Sequence, residues 1–221
     1  MKKKTIVSII IILLLVLTTG CNKYNSDTVD DNTPVNTTPQ RELTESEKMI
    51  SRISALIDTG YAYDAGDYIK GDIPAGEYLF VRFEGSGSYY CEKDEAGNII
   101  DNENFDSFGY VKVHAAGNLE TSGVLIDLSV LETLDVKSGK EVYEILNDKK
   151  DYNQGGYYKV GLDLEPGKYV LESFGSGYWA IMSGPVSGGD IVDNDNFNGR
   201  ASVTLKKGQY LSVSRATITK Q

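Results

Sequence analysis

The segment Asp72-Ile73-Pro74-Ala75-Gly76-Glu77-Tyr78 decides the fold, because it recurs in the second half of the chain as Asp163-Leu164-Glu165-Pro166-Gly167-Lys168-Tyr169. Downstream, Ile99-Ile100-Asp101-Asn102-Glu103-Asn104-Phe105 is matched by Ile191-Val192-Asp193-Asn194-Asp195-Asn196-Phe197. Between these matches, Gly85-Ser86-Gly87 corresponds to Gly175-Ser176-Gly177, and each is expected to form a turn that leads into a second aromatic strand. Motifs that recur in the same order at nearly constant spacing indicate an internal duplication.

Each copy has the pattern of a β structure. Tyr78 to Phe83 and Tyr169 to Ser173 are runs of aromatic and β-branched residues, each of which follows a Pro/Gly turn. Tyr110 to Val113 and Ala201 to Leu205 alternate as half-buried strands do, and a further strand is predicted from Tyr210 to Ile218. The expected fold is mainly β, with two small modules that resemble a β-sandwich or barrel.

Two helices accompany the β modules in the prediction. Thr44 and Glu47 have the spacing of a capping box, and Met49, Ile50, Ile53, Leu56 and Ile57 then follow at helical spacing, with Gly60 just past the end. This amphipathic helix is expected to pack on the first β module. Gly139 to Lys149 is predicted to be a short helix with Val142, Ile145 and Leu146 on one face, while Leu125 to Leu134 is compatible with strand or loop.

The N-terminus has the features of an export signal. Lys2, Lys3 and Lys4 precede an apolar run from Ile6 to Leu17, and Thr18-Thr19-Gly20 leads into Cys21. The apolar run is shorter than the about 20 residues that a transmembrane helix needs. The alternative is an uncleaved membrane anchor with an incidental Cys; both interpretations place the rest of the chain outside the cytoplasm.

The stretch from Leu17 to Cys21 resembles the lipobox of bacterial lipoproteins, although Thr18 stands where Leu is usual. The resemblance implies cleavage after Gly20 and lipidation of Cys21 as a thioether, with palmitate among the expected acyl groups. The copies also resemble a module of exported Gram-positive proteins with the signature Tyr-Lys-Val-Gly-x-Asp-Ile-Pro-Ala-Gly-Glu-Tyr. Tyr158 to Asp163 matches the first half of that signature, and Asp72 to Tyr78 matches the second. This family has no established activity and therefore implies no catalytic residues.

The predicted organisation has six parts. They are a signal peptide (1–20), the lipidated Cys21 with a flexible tether (21–43), a helix (44–60), the first β repeat (61–135), a connector with a short helix (136–153) and the second β repeat (154–221). The tether is predicted from a stretch rich in Asn, Asp, Thr and Pro, which cannot bury enough apolar surface to order itself.

The charge of the chain disfavours nucleic acid as a partner. The formal net charge is −10, and removal of a leader that contains Lys2, Lys3 and Lys4 makes it more negative. Affinity for nucleic acid rests on Lys and Arg that neutralise phosphates. Contact with the membrane is therefore expected through lipid rather than through charge.

Two aromatic pairs are the candidate ligand-binding residues, Tyr89-Tyr90 in the first copy and Tyr178-Trp179 in the second. Because successive side chains of a strand point to opposite faces, one ring of each pair should face the core and the other should face solvent. An exposed ring can stack on a sugar or peptide. The alternative is that all four rings serve core and cross-strand packing.

Clustered carboxylates make calcium a possible ligand, although no cofactor is required by the sequence. The candidates are Asp101, Glu103, Asp190, Asp193 and Asp195, whose hard oxygens suit this ion. The ligand order of an EF-hand is absent, and polar turn capping explains the same residues.

Enzymatic signatures are absent from the sequence. There is no Gly-x-Ser-x-Gly motif, and His114, the single His, excludes multi-His metal sites. Cys91 corresponds to Ala180 in the second copy, which predicts a buried and unreactive thiol.

The expected function is that of a non-enzymatic binding or interaction module, lipid-anchored on the extracytoplasmic face of the cell membrane, for a cell-wall polymer, glycan or surface protein. A structural spacer or accessory subunit of a surface complex is the alternative. A hydrolase with paired carboxylates among Asp101, Glu103, Asp193 and Asp195 is the third hypothesis, although nothing in the sequence sets their separation.

Overall fold

The structure, a computed structural model, describes residues 41–115 and 117–221. The predicted signal peptide, Cys21 and most of the predicted tether lie outside the described residues. The prediction of a mainly β fold is confirmed, because the described residues form twelve strands in three antiparallel sheets, two α-helices and one 3-10 helix. None of the helices in this part of the chain is both long and apolar enough to cross a bilayer.

The first copy contributes eight short strands to two sheets. They are β1 (Ala62–Tyr63), β2 (Gly66–Tyr68), β3 (Gly76–Val81), β4 (Tyr89–Lys93), β5 (Ile99–Asn104), β6 (Phe108–Val113), β7 (Asn118–Thr121) and β8 (Val124–Asp127). One sheet has the strand order β1-β8-β3-β6, and the other has the order β2-β7-β4-β5.

The second copy forms a single sheet from four strands. They are β9 (Gly156–Lys159), β10 (Gly167–Met182), β11 (Ile191–Leu205) and β12 (Tyr210–Lys220), in the order β11-β10-β12-β9. Strand β11 lies at the edge, and no other strand of the described ranges pairs with its outer side.

The two copies share strand order and pairing register. Strands β3 and β4 together correspond to β10, β5 and β6 to β11, β7 and β8 to β12, and β2 to β9, so that both copies have the same order across the sheet. Tyr78 pairs with Val111 as Tyr169 pairs with Val203. Tyr89 likewise pairs with Asn104 as Tyr178 pairs with Asn196.

The copies differ at the middle of each strand. In the first copy the chain turns at Phe83–Ser86, where the Phe83 carbonyl accepts from the Ser86 amide at 2.9 Å and Gly85 has φ 83°. The second copy was expected to turn at Gly175-Ser176-Gly177 as well, but β10 continues through it. There a register shift between Ser173 and Tyr178, with Gly175 at φ 95°, absorbs the extra residues as a bulge.

Recurrent tyrosine hydrogen bonds explain the repeated signature. The Tyr78 hydroxyl donates to the Pro74 carbonyl at 2.8 Å, and the Tyr169 hydroxyl donates to the Glu165 carbonyl at 2.7 Å. The tyrosine of the first half-signature does the same, since the Tyr158 hydroxyl donates to the Gln154 carbonyl at 2.6 Å. Such tyrosine corners tie a strand to the turn before it, which gives the motif a structural role.

The first helix, α1 (Glu45–Asp58), begins and ends as predicted. Thr44 and Glu47 form the capping box, and Gly60 has φ 77° beyond the last turn. Met49 and Ile53 are buried, but Ile50, expected on the same stripe, is 42% exposed, because the contact face is narrower than the apolar stripe. The helix packs not only on β1 of the first module but also on the connector.

The connector between the copies contains a 3-10 helix (Leu128–Leu134) and the helix α2 (Gly139–Leu146). The segment from Leu125 to Leu134, which was compatible with strand or loop, therefore forms the end of β8 followed by the 3-10 helix. Val142 and Leu146 of α2 are buried. Its N-cap is Ser138, whose hydroxyl accepts from the Glu141 amide at 3.2 Å.

Both copies contribute to one hydrophobic core within the compact unit Glu42–Gln221. Phe108 of β6 meets Tyr158 of β9 edge-on, with ring centroids 5.0 Å apart. The loop between β10 and β11 covers the edge of β6, where the Lys112 amide donates to the Val186 carbonyl at 2.8 Å. The first copy therefore has this edge covered by the second, whereas β11 is uncovered.

Candidate functional site

The two aromatic pairs occupy equivalent positions on equivalent strands. Tyr90 and Trp179 are 0% and 7% exposed and belong to the core. Tyr89 and Tyr178 point to the opposite face and are partly exposed. One ring of each pair therefore faces the core and the other faces solvent. The prediction that Tyr90 and Trp179 contact a ligand directly is wrong, because burial leaves neither ring face free.

Amide side chains surround both exposed rings in the same arrangement. Asn104 pairs with Tyr89 across the strands, and Asn102 lies one step along the same face. Asn196 and Asn194 have the same positions beside Tyr178, and the Asn194 amide lies 3.2 Å from the Tyr178 hydroxyl. All four Asn residues are exposed. Each copy thus presents one tyrosine and two asparagines on an outer sheet face; we call each set a Tyr–Asn face.

The calcium candidates do not converge on one point. Asp193 and Asp195 are exposed on β11, and Asp190 lies in the loop before it. The Asp101 carboxylate accepts a hydrogen bond from the Ser187 amide at 2.7 Å. Among residues 41–115 and 117–221, no three His, Cys, Asp or Glu side chains are grouped so that they could hold a metal ion. The calcium hypothesis therefore receives no support from these carboxylates, which are spread along β5, along β11 and in the loop before β11.

Paired carboxylates also lack the surroundings of a hydrolase. Glu103 is half-buried beside Tyr90 on the inner face of β5, and burial raises its pKa. Asp193 and Asp195, the counterparts of Asp101 and Glu103 in the second copy, stand in solvent. None of the surface clefts described below is lined by Asp101, Glu103, Asp193 or Asp195.

His114 and Cys91 have structural partners. The buried Glu92 carboxylate accepts from the His114 backbone amide at 2.7 Å, and its other oxygen lies 2.9 Å from His114 Nδ1. Because Glu92 is 1% exposed, this contact satisfies a buried carboxylate rather than activating a nucleophile. Cys91 is free and buried, which confirms the burial predicted from its counterpart Ala180.

A polar network at the junction of the two copies was not found from the sequence. Asp163 accepts from the Tyr110 hydroxyl at 2.7 Å and from the amides of Lys140 and Lys159 at 2.9 and 2.7 Å. Burial raises the pKa of Asp163 to about 6. The recurrence of Asp72 and Asp163 in the repeated motif was the available signal, but the partner Tyr110 is distant in sequence.

Lys159 continues this network toward a surface cleft. Its ammonium group donates to Glu77 at 2.7 Å and lies over the rings of Tyr110 and Tyr210, 5.7 and 5.4 Å from their centroids. The cleft beside it has a volume of about 500 Å³, and we call it the junction cleft. It is lined by Leu128, Leu131, Glu132, Val136, Lys137, Lys159, Val160, Gly161, Leu162, Lys207 and Gly208.

Comparison with known proteins provides no family for this chain. No protein-family model, no curated protein and no solved structure matches it.

Proposed function

We propose that this chain is a lipid-anchored, extracytoplasmic protein whose two copies form a non-enzymatic binding module for a cell-wall polymer, glycan or surface protein. The proposal rests on one observation, which is that both copies present the same Tyr–Asn face at the same strand register. Tyr89 has Asn104 as its cross-strand neighbour, and Tyr178 has Asn196 in the same position.

A Tyr–Asn face suits a repeating polar ligand. A partly exposed ring offers a flat apolar surface for the face of a sugar, while neighbouring amides supply both donors and acceptors for hydroxyl groups. Neither Tyr89 nor Tyr178 lines the junction cleft or any of the other four surface clefts of the described residues, so each face is open, as contact with an extended polymer requires. Two equal faces on one chain also allow a polymer to bind at two points, which raises its overall affinity.

Sedimentation with purified cell-wall sacculi tests the proposal. We expect Tyr89→Ala or Tyr178→Ala to weaken binding by ~10-fold or more, because each removes one of two linked contacts. The double variant should abolish binding. Tyr61→Ala is the matched control, since Tyr61 is 48% exposed but lies outside both faces. Equal binding by the double variant and the control would refute a role for the faces.

The anchor is tested separately from the binding. We expect metabolic palmitate label on the chain, its loss in Cys21→Ser, and accumulation of the uncleaved form when lipoprotein signal peptidase is inhibited with globomycin. A chain without label, or with processing that is insensitive to globomycin, would contradict the lipid anchor but leave the binding result unaffected.

A structural spacer or accessory subunit is the second candidate, and one observation favours it. Both copies expose an apolar pair at the start of equivalent strands, Ile99-Ile100 at 57% and 42% and Ile191-Val192 at 55% and 56%. Exposed apolar surface of this kind can receive a protein partner. Crosslinking in intact membranes should then recover one stoichiometric complex that Ile191→Ser with Val192→Ser removes, while the Tyr–Asn faces are dispensable.

A further inference from the structure

The junction cleft differs in charge from the other clefts of this acidic protein. Lys137, Lys159 and Lys207 line it, opposed there by Glu132 alone. The cleft beside α2 contains instead six carboxylate residues and two lysines, and the cleft beside β2 contains four carboxylate residues and no cation. Two further clefts, one lined by Arg82 and Asp106 and one lined by Asp163 and Lys220, have no excess of cations over carboxylates. Among these five clefts, the junction cleft is therefore the one in which cations outnumber anions.

The floor of the junction cleft is apolar and well ordered by the fold. Leu131, Val136 and Val160 belong to the hydrophobic core, and the partly exposed Leu162 stands at the rim, 38% exposed. The 3-10 helix and Val136 supply one wall, while the turn after β9 supplies the other. At the equivalent turn of the first copy, Ile69 is 69% exposed.

Two of the lysines have no ion pair among the described residues. Lys159 is held by Glu77, but no carboxylate of residues 41–115 and 117–221 forms a salt bridge with Lys137 or Lys207. The stem of Lys207 is fixed by the turn, since a Cβ on Gly161 would lie 3.0 Å from Lys207 Cγ. Gly161 has φ 97°, so that glycine both forms the turn and leaves room for the lysine.

We propose that the junction cleft binds a small amphipathic anion, a carboxylate on a short hydrocarbon chain. The carboxylate pairs with the ammonium groups of Lys137 and Lys207, and the chain lies on Leu131, Val136 and Val160. The volume of the cleft is within the range of small-molecule sites, and its apolar lining with a few charged groups is their usual composition. This site is independent of the Tyr–Asn faces and of the function proposed for them.

Competitive acetylation of lysines, followed by mass spectrometry of the full chain in phosphatidylcholine nanodiscs, tests the proposal. Octanoate at ten times its dissociation constant should slow the labelling of Lys137 and Lys207 by about tenfold. Lys206 is the internal control, because it is exposed beside Lys207 but does not line the cleft. Acetate supplies the charge without the chain, and octanol supplies the chain without the charge.

Protection by octanoate that acetate and octanol do not reproduce supports the proposal. Leu162→Asn should weaken this protection, whereas Tyr89→Ala with Tyr178→Ala should leave it unchanged. Protection by acetate or by octanol that equals the protection by octanoate would overturn the proposal. So would a slowing of Lys206 acetylation by octanoate that equals the slowing at Lys207.

Discussion

The two copies of the repeat have the same strand order and register but different shapes. In the first, each strand is interrupted and the copy becomes two four-stranded sheets, whereas the second keeps one sheet with strands of up to 16 residues. The tyrosine corners are present in both and hold the same turn against the same strand. The repeated motif therefore determines the topology, while residues outside the motif determine whether the sheet divides.

Phe108 provides the largest expected contrast, because its counterpart in the second copy is Arg200. Phe108 is 0% exposed and packs on Tyr143 and Tyr158, whereas Arg200 lies on the exposed face of β11. We expect Phe108→Ala to lower the free energy of unfolding by about 3–5 kcal/mol. Arg200→Ala, the matched control, should change it by about 0.5 kcal/mol or less. Urea titration measures both, and equal losses would contradict the assignment of Phe108 to the shared core.

Asp163 and Asp72 are expected to differ in their pH dependence. The folded pKa of Asp163 is raised to about 6 from 3.8, so the native state binds its proton more tightly than the unfolded state does. Stability from this group therefore falls as pH rises from about 4 to about 6, by about 3 kcal/mol in total. Urea titrations from pH 4 to pH 7 should show a shallower decline for Asp163→Asn than for the native chain. Asp72→Asn is the control, because Asp72 is exposed, and the same slope in both variants would contradict the prediction.

The two copies differ in packing at Gly109, because the equivalent residue of the second copy is Ala201. A Cβ on Gly109 would lie 2.1 Å from Phe105 Cε1, because the Phe105 ring stacks on Phe80 just above it. We expect Gly109→Ala to cost about 1–3 kcal/mol by overpacking. In the second copy Leu171 replaces Phe80, and Ala201→Gly should cost only about 0.5–1 kcal/mol. Thermal unfolding measures the loss of stability in each single variant. Equal losses in the two variants would contradict this explanation.

The smallest difference between the copies is expected at the tyrosine corners, which should contribute equally to the free energy of unfolding. Tyr78→Phe and Tyr169→Phe each remove one hydroxyl that donates to a turn carbonyl. Each should lower the free energy of unfolding by about 1 kcal/mol. A difference of more than about 1 kcal/mol between the two in urea titration would show that the motif has unequal roles, contrary to the shared register.

The sequence allowed the prediction of elements whose signals are local. The capping box of Thr44 and Glu47, the helix with Val142 and Leu146, and the alternation of Tyr89 with Tyr90 depend on neighbouring residues and are present in the structure. The continuous strand β10 was not predicted, because Gly175-Ser176-Gly177 has the composition of a turn whether it forms one or a bulge. The junction network was missed because Tyr110 and Asp163 meet only when the copies pack together.

The uncovered edge of β11 has a consequence for solubility. A long edge strand is a template on which other sheets can grow, and natural proteins block this with charges that point toward the inner side of the sheet. Asp195 pairs across the strands with the buried Trp179 and so projects on the inner side, as does Asp193 beside Ile181. The carboxylates that suggested a metal ion thus fit a different purpose, which is to keep neighbouring molecules from stacking into fibres through this strand.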